Sequence, residues 1–385
     1  MRFLTPVRVA SIARRRSPWL VRGISATTKS APYRVLFFGT DDVSVATLKR
    51  LYNNSQEADA SKRLVQEIQV ICPSDRKVGR SKRTDPVPVK RFALEHGLTV
   101  THTPPNVKTL KSWDSEVLHA PFDVGVVVSF GYFLHPHLLA NLRYGAINMH
   151  PSLLPKYRGP APIHHALIHG DSVTGVSVIE IDPRAFDVGR ILLQKPFDVP
   201  DGITSEPLAQ QLAALGGDCV LEVLADLETR KEQAIVQSDA VASHAPKIKL
   251  QDGFLTLDET ADQIFHRWQA LSDNVGISVR YKEKDVKLVE MQRPTAEQLE
   301  QVRDEERRVC EQEANGNGSL TFPAGSFFFE KKLKALWLKC ADESWLLLTK
   351  LQQADRKVGD ALDFANGYRL KRSLERFDAI PREEE

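Results

Sequence analysis

The chain has 385 residues, of which 42% are hydrophobic and 26% are charged, and its formal net charge is +2. This length favours two domains, each large enough to bury its own core, and the composition is typical of a globular protein. The small net charge excludes a protein that is basic as a whole, so any nucleic acid must be bound by local basic patches.

The first 32 residues have a distinct composition. They contain six arginines and one lysine among Leu, Val and Ile residues, and the first acidic residue of the chain is Asp41. An Arg-rich segment without acidic residues is typical of a mitochondrial transit peptide, so we predict that residues 1–32 are removed and that the protein works in the mitochondrial matrix. The alternative is a basic tail that binds nucleic acid.

We expect neither a membrane span nor a metal site. No continuous apolar run approaches the roughly 18 residues that a membrane helix needs. The histidines at positions 164, 165 and 169 have no partnering cluster of acidic residues or cysteines. The four cysteines, at positions 72, 219, 310 and 340, form no C-x-x-C pair, so we expect reduced, structural thiols.

After the leader, the chain begins an α/β unit. The apolar run from Tyr33 to Thr40 predicts a strand, and Gly39 predicts a tight turn at its end. The next residues have apolar side chains at helical spacing: Val43, Ala46, Leu48 and Leu51. Because Gly39 forms no G-x-G-x-x-G pattern, nothing here indicates a dinucleotide cofactor. The run from Ile68 to Cys72 predicts the next strand.

A basic loop follows this second strand. Between Asp75 and Arg91 there is one further acidic residue, Asp85, whereas the basic residues are Arg76, Lys77, Arg80, Lys82, Arg83, Lys90 and Arg91. Gly79 and two prolines indicate a loop and not a charged helix. Such a loop can clamp a phosphate backbone, or it can be a solvated surface.

Two further strands are predicted to end at the same edge of the sheet. Asp123 to Ser129 is nearly all apolar, as expected for a parallel strand that is covered on both faces. Gly145 to Met149 predicts another buried strand, which Pro151 prevents from continuing. Because ligands of open α/β sheets bind at the carboxyl ends of the strands, we expect one crevice there.

Asn148 and His150 lie two residues apart on a strand and should point to the same face. The Asn148 amide can donate a hydrogen bond to an oxygen that becomes negative, and the His150 imidazole can exchange a proton near neutral pH. Asp187, in a Phe-Asp-Val-Gly segment, can orient the imidazole if the fold brings it near. This set suits attack on a carbonyl without a covalent enzyme intermediate. Taken alone, an Asn-x-His pair is more often a turn residue beside a hydrogen-bonded structural histidine.

The flanking residues extend this pair to a longer motif. The segment from Asn148 to Gly159 reads N-M-H-P-S-L-L-P-K-Y-R-G, and D-V-G follows at Asp187. This pattern closely resembles the signature of the 10-formyltetrahydrofolate-dependent formyltransferases. The resemblance extends from about Tyr33 to Arg372, and the whole chain is similar to the mitochondrial members that formylate methionyl-tRNA.

The resemblance implies a reaction and its residues. Formyl passes from 10-formyltetrahydrofolate to the α-amino group of initiator methionyl-tRNA, without a metal. Asn148 stabilises the oxyanion, His150 relays the proton, and Asp187 orients His150. The folate is implied to contact two segments, whose residues are Ser129, Phe130, Gly131, Tyr132, Ser152, Leu153, Leu154 and Pro155. From the residues alone, Leu153 and Leu154 can equally cap the core.

The basic loop also matches the family. Its D-R-x-x-G-R-x-K pattern, from Asp75 to Lys82, is similar to the loop that wedges into the acceptor stem of the initiator tRNA in bacterial relatives. The resemblance implies tRNA contacts by Arg76, Arg80, Lys82 and Arg83. Thr84 and Asp85 stand where relatives are more apolar, which leaves the depth of the wedge open. Arg158, next to a glycine, can hold an anion or stabilise its own loop.

The implied fold is α/β with two domains. A Rossmann-like N-terminal formyltransferase domain covers residues 33–228 and ends with a helix from about Ser205. Residues 229–252 are predicted to be a linker, and residues 253–385 an OB-like C-terminal β-barrel domain that binds tRNA. The predicted barrel strands are Gly276 to Tyr281, Val286 to Met291, Ala335 to Leu338 and Trp345 to Leu348. The charged stretch from Thr295 to Asn317 is predicted to be an inserted helix or a loop.

Other functions stay open on sequence grounds. A formyltransferase for a small amine, such as glycinamide ribonucleotide or an amino sugar, needs neither the basic loop nor the second domain. A hydrolase or dehydrogenase of 10-formyltetrahydrofolate shares the motif, but the sequence has no aldehyde dehydrogenase domain. A tRNA-binding module without catalysis does not need an intact Asn148, His150 and Asp187. We expect a monomer.

Overall fold

The computed structural model describes residues 32–77, 84–313, 322–370 and 374–381. The predicted transit peptide, up to residue 31, lies outside the described residues. The described residues form two large β-sheets and a two-stranded hairpin, with helices packed against the sheets.

The first sheet is built from the N-terminal part of the chain. The strands of this part are β1 (Tyr33–Gly39), β2 (Val65–Cys72), β3 (Arg76–Lys77), β4 (Thr84–Asp85), β5 (Thr99–His102), β6 (Val124–Val128), β7 (Ala146–His150), β8 (Val173–Glu180) and β9 (Ile191–Asp198). Its helices are α1 (Asp42–Ser55), α2 (Pro88–Glu95), α3 (Pro136–Leu139), α4 (Pro162–Ile168), α5 (Ser205–Ala225) and α6 (Leu227–Glu232). Strands β3 and β4 form the hairpin, and the others form the sheet.

The strand order of the first sheet changes direction between β1 and β6. The order is β5-β2-β1-β6-β7-β8-β9, so the chain builds outward from β1 on one side and then crosses to the other. The first five strands in this order are parallel, whereas β8 and β9 are antiparallel to their neighbours. Where the strand order changes direction in this way, ligands of α/β sheets bind in a crevice at the carboxyl ends of the strands. The predicted α/β fold is confirmed.

The burial of the central strands explains their apolar sequences. Every residue of β6 is buried, as predicted for a continuous apolar run in a parallel sheet. Helix α1 begins after Asp41, whose side chain accepts a hydrogen bond from the Ser44 N–H at 3.1 Å. Gly216 of α5 lies so close to β7 that an added Cβ would be 2.7 Å from the sulfur of Met149. Helix α5 therefore packs directly against the strand that carries Asn148 and His150.

Helix α5 is long and apolar enough, by length and composition alone, to cross a membrane. This was not expected from the sequence, in which no continuous apolar run reaches that length. In the fold, half of the apolar stretch is buried, and the helix contacts α1 and β8. These contacts are those of a core helix.

The second sheet is built from the C-terminal part of the chain. Its strands are β10 (Ile277–Tyr281), β11 (Lys284–Gln292), β12 (Ser326–Glu330), β13 (Ala335–Lys339), β14 (Trp345–Gln353), β15 (Gly359–Asp360) and β16 (Glu375–Arg376). Its helices are α7 (Ala261–Leu271), α8 (Ala296–Glu313) and α9 (Ala361–Tyr368). The order β10-β11-β14-β13-β12-β16 is antiparallel throughout. Two backbone hydrogen bonds of 2.8 Å join Arg280 to Asp378, which follows the last strand. The predicted barrel-like C-terminal domain is confirmed as a curled antiparallel sheet, which we call the half-barrel.

Helices and polar contacts join the two parts of the chain. Helix α7 packs against α4. Asp273, just after α7, accepts a hydrogen bond of 2.9 Å from the Glu206 N–H at the start of α5. Arg293, which follows β11, pairs with Asp201 at 3.1 Å and with Asp262 of α7 at 2.8 Å. These contacts fix how the second sheet sits against the first.

Candidate active site

Strand β7 brings Asn148 and His150 to the same side of the sheet. Met149, between them, is buried against Gly216 on the opposite side, which is the alternation that a strand imposes. The strand ends at His150, one residue later than predicted, since Pro151 has no N–H to continue the ladder. His150 is buried, whereas Asn148 is partly exposed.

A cleft of about 410 Å³ lies at the carboxyl ends of β6 and β7. Its walls are largely apolar and a few polar groups converge in it, as is usual for ligand sites. Phe133 and Phe186 meet edge to face on its wall, with ring centroids 5.1 Å apart, and Phe186 is 58% exposed. Neither phenylalanine was predicted from the sequence. The predicted residues that line the cleft are Ser129, Phe130, Gly131, Tyr132, Asn148, His150 and Asp187.

The two ring nitrogens of His150 have different neighbours. Nε2 lies 2.9 Å from the carbonyl oxygen of Tyr157, and because a carbonyl only accepts hydrogen bonds, Nε2 carries a proton. Nδ1 lies 3.6 Å from Oδ1 of Asp187. The Tyr157 backbone therefore orients the ring, and Nδ1 is the nitrogen that can exchange a proton beside the carboxylate.

Tyr157 is itself anchored. Its hydroxyl donates to Asp171 at 2.8 Å, and its N–H donates to the Ser243 hydroxyl at 2.9 Å. Burial, together with the hydrogen bond to Asp171, raises the pKa of Tyr157, so its hydroxyl stays protonated at neutral pH. The carbonyl that orients His150 thus belongs to a residue held at two points.

Asp187 lies next to both predicted partners. Its Oδ2 accepts a hydrogen bond from the Gly159 N–H at 2.9 Å, and its Oδ1 is 3.4 Å from the amide nitrogen of Asn148. Its backbone φ is +57°, which is uncommon for a residue other than glycine, so the surrounding contacts must hold this conformation. The fold brings together the three polar side chains that the sequence singled out.

Gly189 accounts for the glycine that follows Asp187 in the D-x-G segment. A Cβ at this position would lie 1.7 Å from the backbone oxygen of Glu180. The loop therefore approaches β8 more closely than any residue with a side chain permits. Gly189 thus fixes the path by which the loop delivers Asp187 to the cleft.

Arg158 stabilises the site from behind and is not among the residues that line the cleft. Its side chain is only 9% exposed, and its guanidinium donates to Gln237 at 3.0 and 2.9 Å and to Asp239 at 2.8 Å. Of the two roles left open by the sequence, these contacts are those of a loop-stabilising residue. Both partners come from residues 229–252, which were predicted only as a linker. No local pattern marks Gln237 as functional, because its partners lie far away in the chain.

The predicted folate-binding loop, residues 152–155, lies behind the cleft and not on its wall. Ser152 is fully buried, and Leu154 packs against Ile179 and Ile191. Leu154 thus caps a small core cluster, the alternative that the sequence left open. A folate contact by the four loop residues stays a prediction.

The described part of the basic loop is the β3–β4 hairpin. Arg76 lies opposite Asp85 in this hairpin. Lys90 of α2 pairs with Asp75 at 2.6 Å, which ties the loop's start to the following helix. The other predicted tRNA contacts lie outside the described residues: Arg80, Lys82 and Arg83.

The described part of the chain has no group of three or more His, Cys, Asp or Glu side chains placed to hold a metal ion. Its cysteines, Cys72, Cys219 and Cys340, are buried free thiols. Burial raises the pKa of Cys219 to about 11 and the pKa values of Cys72 and Cys340 to about 12. These three groups are therefore protonated, unreactive thiols at neutral pH.

Comparison with protein families gives two adjacent matches. Residues 33–224 match the formyl transferase family, and residues 247–369 match the formyl transferase C-terminal domain. The first match contains the cleft and its sheet, and the second contains the half-barrel up to α9.

Individual proteins are similar along most of the chain. The mitochondrial methionyl-tRNA formyltransferase of Bos taurus is 31% identical over 339 residues, which cover 88% of this chain and 78% of that protein. The corresponding Homo sapiens protein is 31% identical over 346 residues, covering 89% and 80%.

A solved structure gives the same fold. An N-formyltransferase from Helicobacter canadensis, in complex with folinic acid and dTDP-3-aminofucose, matches with a TM-score of 0.54 at 14% identity, covering 82% of this chain and 98% of that one. At this identity the likeness concerns the fold alone. The relatives at 31% identity, together with both domain matches, show the family as well as the fold. The chain belongs to the methionyl-tRNA formyltransferase family.

Proposed function

We propose that this enzyme transfers the formyl group of 10-formyltetrahydrofolate to the α-amino group of methionyl-tRNA, in the mitochondrial matrix. One observation carries the proposal: an amide, an imidazole and a carboxylate, from Asn148, His150 and Asp187, converge in one apolar cleft. The names of the relatives supply the acceptor and the compartment. The chemistry of Asn148, His150 and Asp187 indicates the type of reaction, attack of an amine on a carbonyl.

Asn148 acts on the oxygen of the formyl group. The neutral amine of the acceptor attacks the formyl carbon, a C–N bond forms, and the carbonyl oxygen takes up the negative charge. The Asn148 amide donates to that oxyanion in a cleft whose low polarity strengthens the interaction. Loss of one such donor typically costs about 2.7–4 kcal/mol of transition-state stabilisation.

His150 moves the proton. Its Nε2–H remains hydrogen-bonded to the Tyr157 carbonyl, so Nδ1 accepts the proton that the attacking nitrogen loses. The bond between the formyl carbon and N10 of the folate then breaks, and N10 takes the bonding electron pair and the proton from Nδ1. Asp187, 3.6 Å away, stabilises the transient imidazolium. The enzyme ends each turnover in its starting protonation state.

The folate donor is proposed to lie along the turn at the end of β6. Tyr132, which is partly exposed, presents aromatic surface to a flat ring system, and the buried Phe130 packs against it with ring centroids 5.5 Å apart. Ser129 and Gly131 complete this wall of the cleft. The loop of residues 152–155 is proposed to shape the pocket from behind.

The tRNA is proposed to be held by the basic loop and the half-barrel. The four predicted contacts on the loop are Arg76, Arg80, Lys82 and Arg83. Between Lys331 and Arg372 there are ten basic and five acidic residues, and the basic residues other than the buried Lys339 suit phosphate contacts along the acceptor. We propose a monomeric enzyme, with residues 1–32 as its transit peptide and no membrane association.

A panel of acceptors tests this function. The purified protein receives 10-formyltetrahydrofolate and, in separate reactions, methionyl-tRNA, free methionine, glycinamide ribonucleotide or a nucleotide-linked amino sugar. We expect transfer to methionyl-tRNA only, at a rate that falls as salt rises, because phosphate contacts release counterions. Transfer to a small amine in place of methionyl-tRNA would support the proposed formyl-transfer reaction, but it would refute methionyl-tRNA as the acceptor. Absence of transfer to every acceptor would refute both.

A further inference from the structure

The segment predicted as a linker runs along the active site. We call residues 235–245 the strap. At one end, Ile235 and Ile191 exchange two backbone hydrogen bonds, of 2.8 and 3.0 Å. At the other end, the Arg158 N–H donates to Ser243 at 2.8 Å, and the Ala245 N–H donates to the Arg158 carbonyl at 2.7 Å. The strap is therefore fixed at one end to β9 and at the other end to Arg158, which precedes Gly159 on the wall of the cleft.

Gln237, the third residue of the strap, bonds to the loop that carries Asp187. Its Nε2 donates to the carbonyl oxygens of Asp187 and Gly189, each at 2.8 Å. Its Oε1 accepts from two guanidinium nitrogens of Arg158, at 3.0 and 2.9 Å. A guanidinium only donates and a carbonyl only accepts, so this orientation of the amide is the one that satisfies both sides.

The bonds from Gln237 act where the backbone needs support. Asp187 has a φ of +57°, a conformation that persists only when its surroundings enforce it. Gln237 holds the carbonyl of this residue and that of Gly189, two residues on. With a residue exposure of 9%, Gln237 makes these bonds largely out of water, where their geometry is well defined. The carboxylate of Asp187 is thereby held beside His150 from the strap side.

We propose that Gln237 is a positioning residue for Asp187, and that the strap is part of the active centre. Gln237 lines no part of the cleft, so it acts through Asp187 and not on a substrate. The kinetic consequence rests on the proposed function. The structural consequence, a fixed Asp187 loop, does not.

The substitution Gln237→Glu tests the hydrogen bonds that Gln237 donates separately from those that it accepts. It keeps an oxygen that accepts from Arg158, but it replaces the donor with an oxygen that faces two carbonyls. We expect kcat to fall by about 10-fold to 100-fold, with little change in KM, because a small displacement of a catalytic group is costly. Gln233→Glu is the matched control, since Gln233 is exposed just before the strap.

A double substitution tests whether Gln237 acts through Asp187. If it does, Gln237→Glu in an Asp187→Asn background lowers kcat far less than it does in the wild type. A general structural defect would instead lower kcat by the same factor in both backgrounds. Equal factors, or a wild-type kcat in Gln237→Glu, would overturn the proposal.

Hydrogen exchange gives a readout that needs no activity. In the full chain, we expect the peptide covering residues 182–190 to exchange faster in Gln237→Glu than in the wild type, and to be unchanged in Gln233→Glu. Gln237→Met, which removes the donor without burying a charge, gives the same comparison if Gln237→Glu does not fold. Unchanged exchange in a folded Gln237 variant would overturn the proposal. If the wild type transfers no formyl group, the proposed function fails and hydrogen exchange alone decides this inference.

Discussion

Tyr157 contributes to the cleft with its backbone and not with its ring. Its carbonyl accepts a hydrogen bond from Nε2 of His150, so Nδ1 is the ring nitrogen that faces Asp187. The motif around Asn148 identified His150, but it could not show which ring nitrogen faces Asp187. That depends on the position of the Tyr157 carbonyl, seven residues later in the chain. Asp187 lies beside Nδ1, and its role in orienting His150 stays a prediction.

Gly189 provides a prediction for a single position. Gly189→Ala places a Cβ against the Glu180 backbone, which cannot move without disturbing β8. We expect a loss of about 1–3 kcal/mol in the free energy of unfolding, as for other overpacking substitutions. We also expect a lower kcat, because Asp187 lies on the same loop. Thermal unfolding and the transfer assay measure the two effects.

The control for this prediction is Gly367→Ala, in helix α9. A Cβ there meets only an Arg356 guanidinium nitrogen, at 3.8 Å, so the protein should lose neither stability nor activity. A Gly189→Ala protein as stable and active as the wild type would show that the loop tolerates a different path.

Residues close together in the motif were predictable, and residues brought together by the fold were not. Asn148 and His150 share one strand, so their common face followed from the alternation of side chains. Asp187 was named as a partner only on the condition that the fold brings it near, which the sequence alone could not show. Gln237 and Arg158 are 79 positions apart, and no local pattern couples them. Arg158 was therefore named without its partner, and Gln237 was not found at all.

At the scale of elements, two half-buried histidines lie where α4 meets α7. Burial lowers the pKa of His164 below its ordinary value of 6.5. Burial, and then the charge of Arg293, lower the pKa of His266. The Arg293 guanidinium lies 3.2 Å from Nε2 of His266, so protonation would place two positive charges together.

These shifts predict how stability depends on pH. The folded-state pKa values lie below the unfolded value of 6.5, so below that pH the unfolded chain binds more protons than the folded protein. Stability is therefore retained above about pH 6.5 and is lost as the pH falls below it. We expect the melting temperature to fall between about pH 7.5 and pH 5.5, and to fall less in a double His164→Gln, His266→Gln variant.

The exposed His119 supplies the comparison for this experiment. His119→Gln changes a surface residue that pairs with Asp114 and touches neither α4 nor α7. Its melting temperature should follow the wild type across the same pH range. A double variant with the full wild-type decline would place the acid sensitivity elsewhere in the molecule.

Helix α8 shows what the charged insertion does. The sequence predicted an inserted helix or a loop, and the described part is a helix whose Val302 is buried against the half-barrel. Lys339 of β13 has a side-chain exposure of 3%, and it bonds to Glu306 of α8 at 2.9 Å. The same lysine reaches Glu343 at 3.0 Å and lies over the ring of Trp345. The helix is therefore attached by a buried ion pair as well as by an apolar contact.

Glu306→Ala tests this attachment. Removing the carboxylate leaves the buried Lys339 ammonium with fewer partners, which we expect to cost about 1–3 kcal/mol in the free energy of unfolding. Glu300→Ala, an exposed position on the same helix, should cost little. Urea unfolding of both variants measures the difference. Equal stabilities would mean that α8 is held by its apolar face alone.

At the scale of the whole molecule, the pattern of predicted and missed strands has a physical cause. Strands β1, β6 and β7 were predicted because both of their faces are covered, which requires long apolar runs. Strand β9 was missed, since one face is exposed along much of its length and Pro196 interrupts its pattern. Strand β12 was also missed, although it has the same length as β13, which was predicted. A sequence shows elements buried on both faces more clearly than elements at an edge.

The two sheets share one continuous apolar core. It includes Phe37 and Val126 of the first sheet and Leu288 and Phe327 of the second. The strap crosses beside the cleft on its way between them. The half-barrel is thus held at a fixed position relative to the site.

Single-turnover formyl transfer to methionyl-tRNA, compared among the wild type, Asn148→Ala and Asn274→Ala, tests most directly whether the cleft performs the reaction. Asn274 is an exposed residue after α7, so its substitution should leave the rate unchanged. We predict that Asn148→Ala lowers the rate by about 10²–10³-fold, the usual loss for an oxyanion donor. A loss of less than about tenfold would contradict the assignment of Asn148 and place the chemistry on other groups.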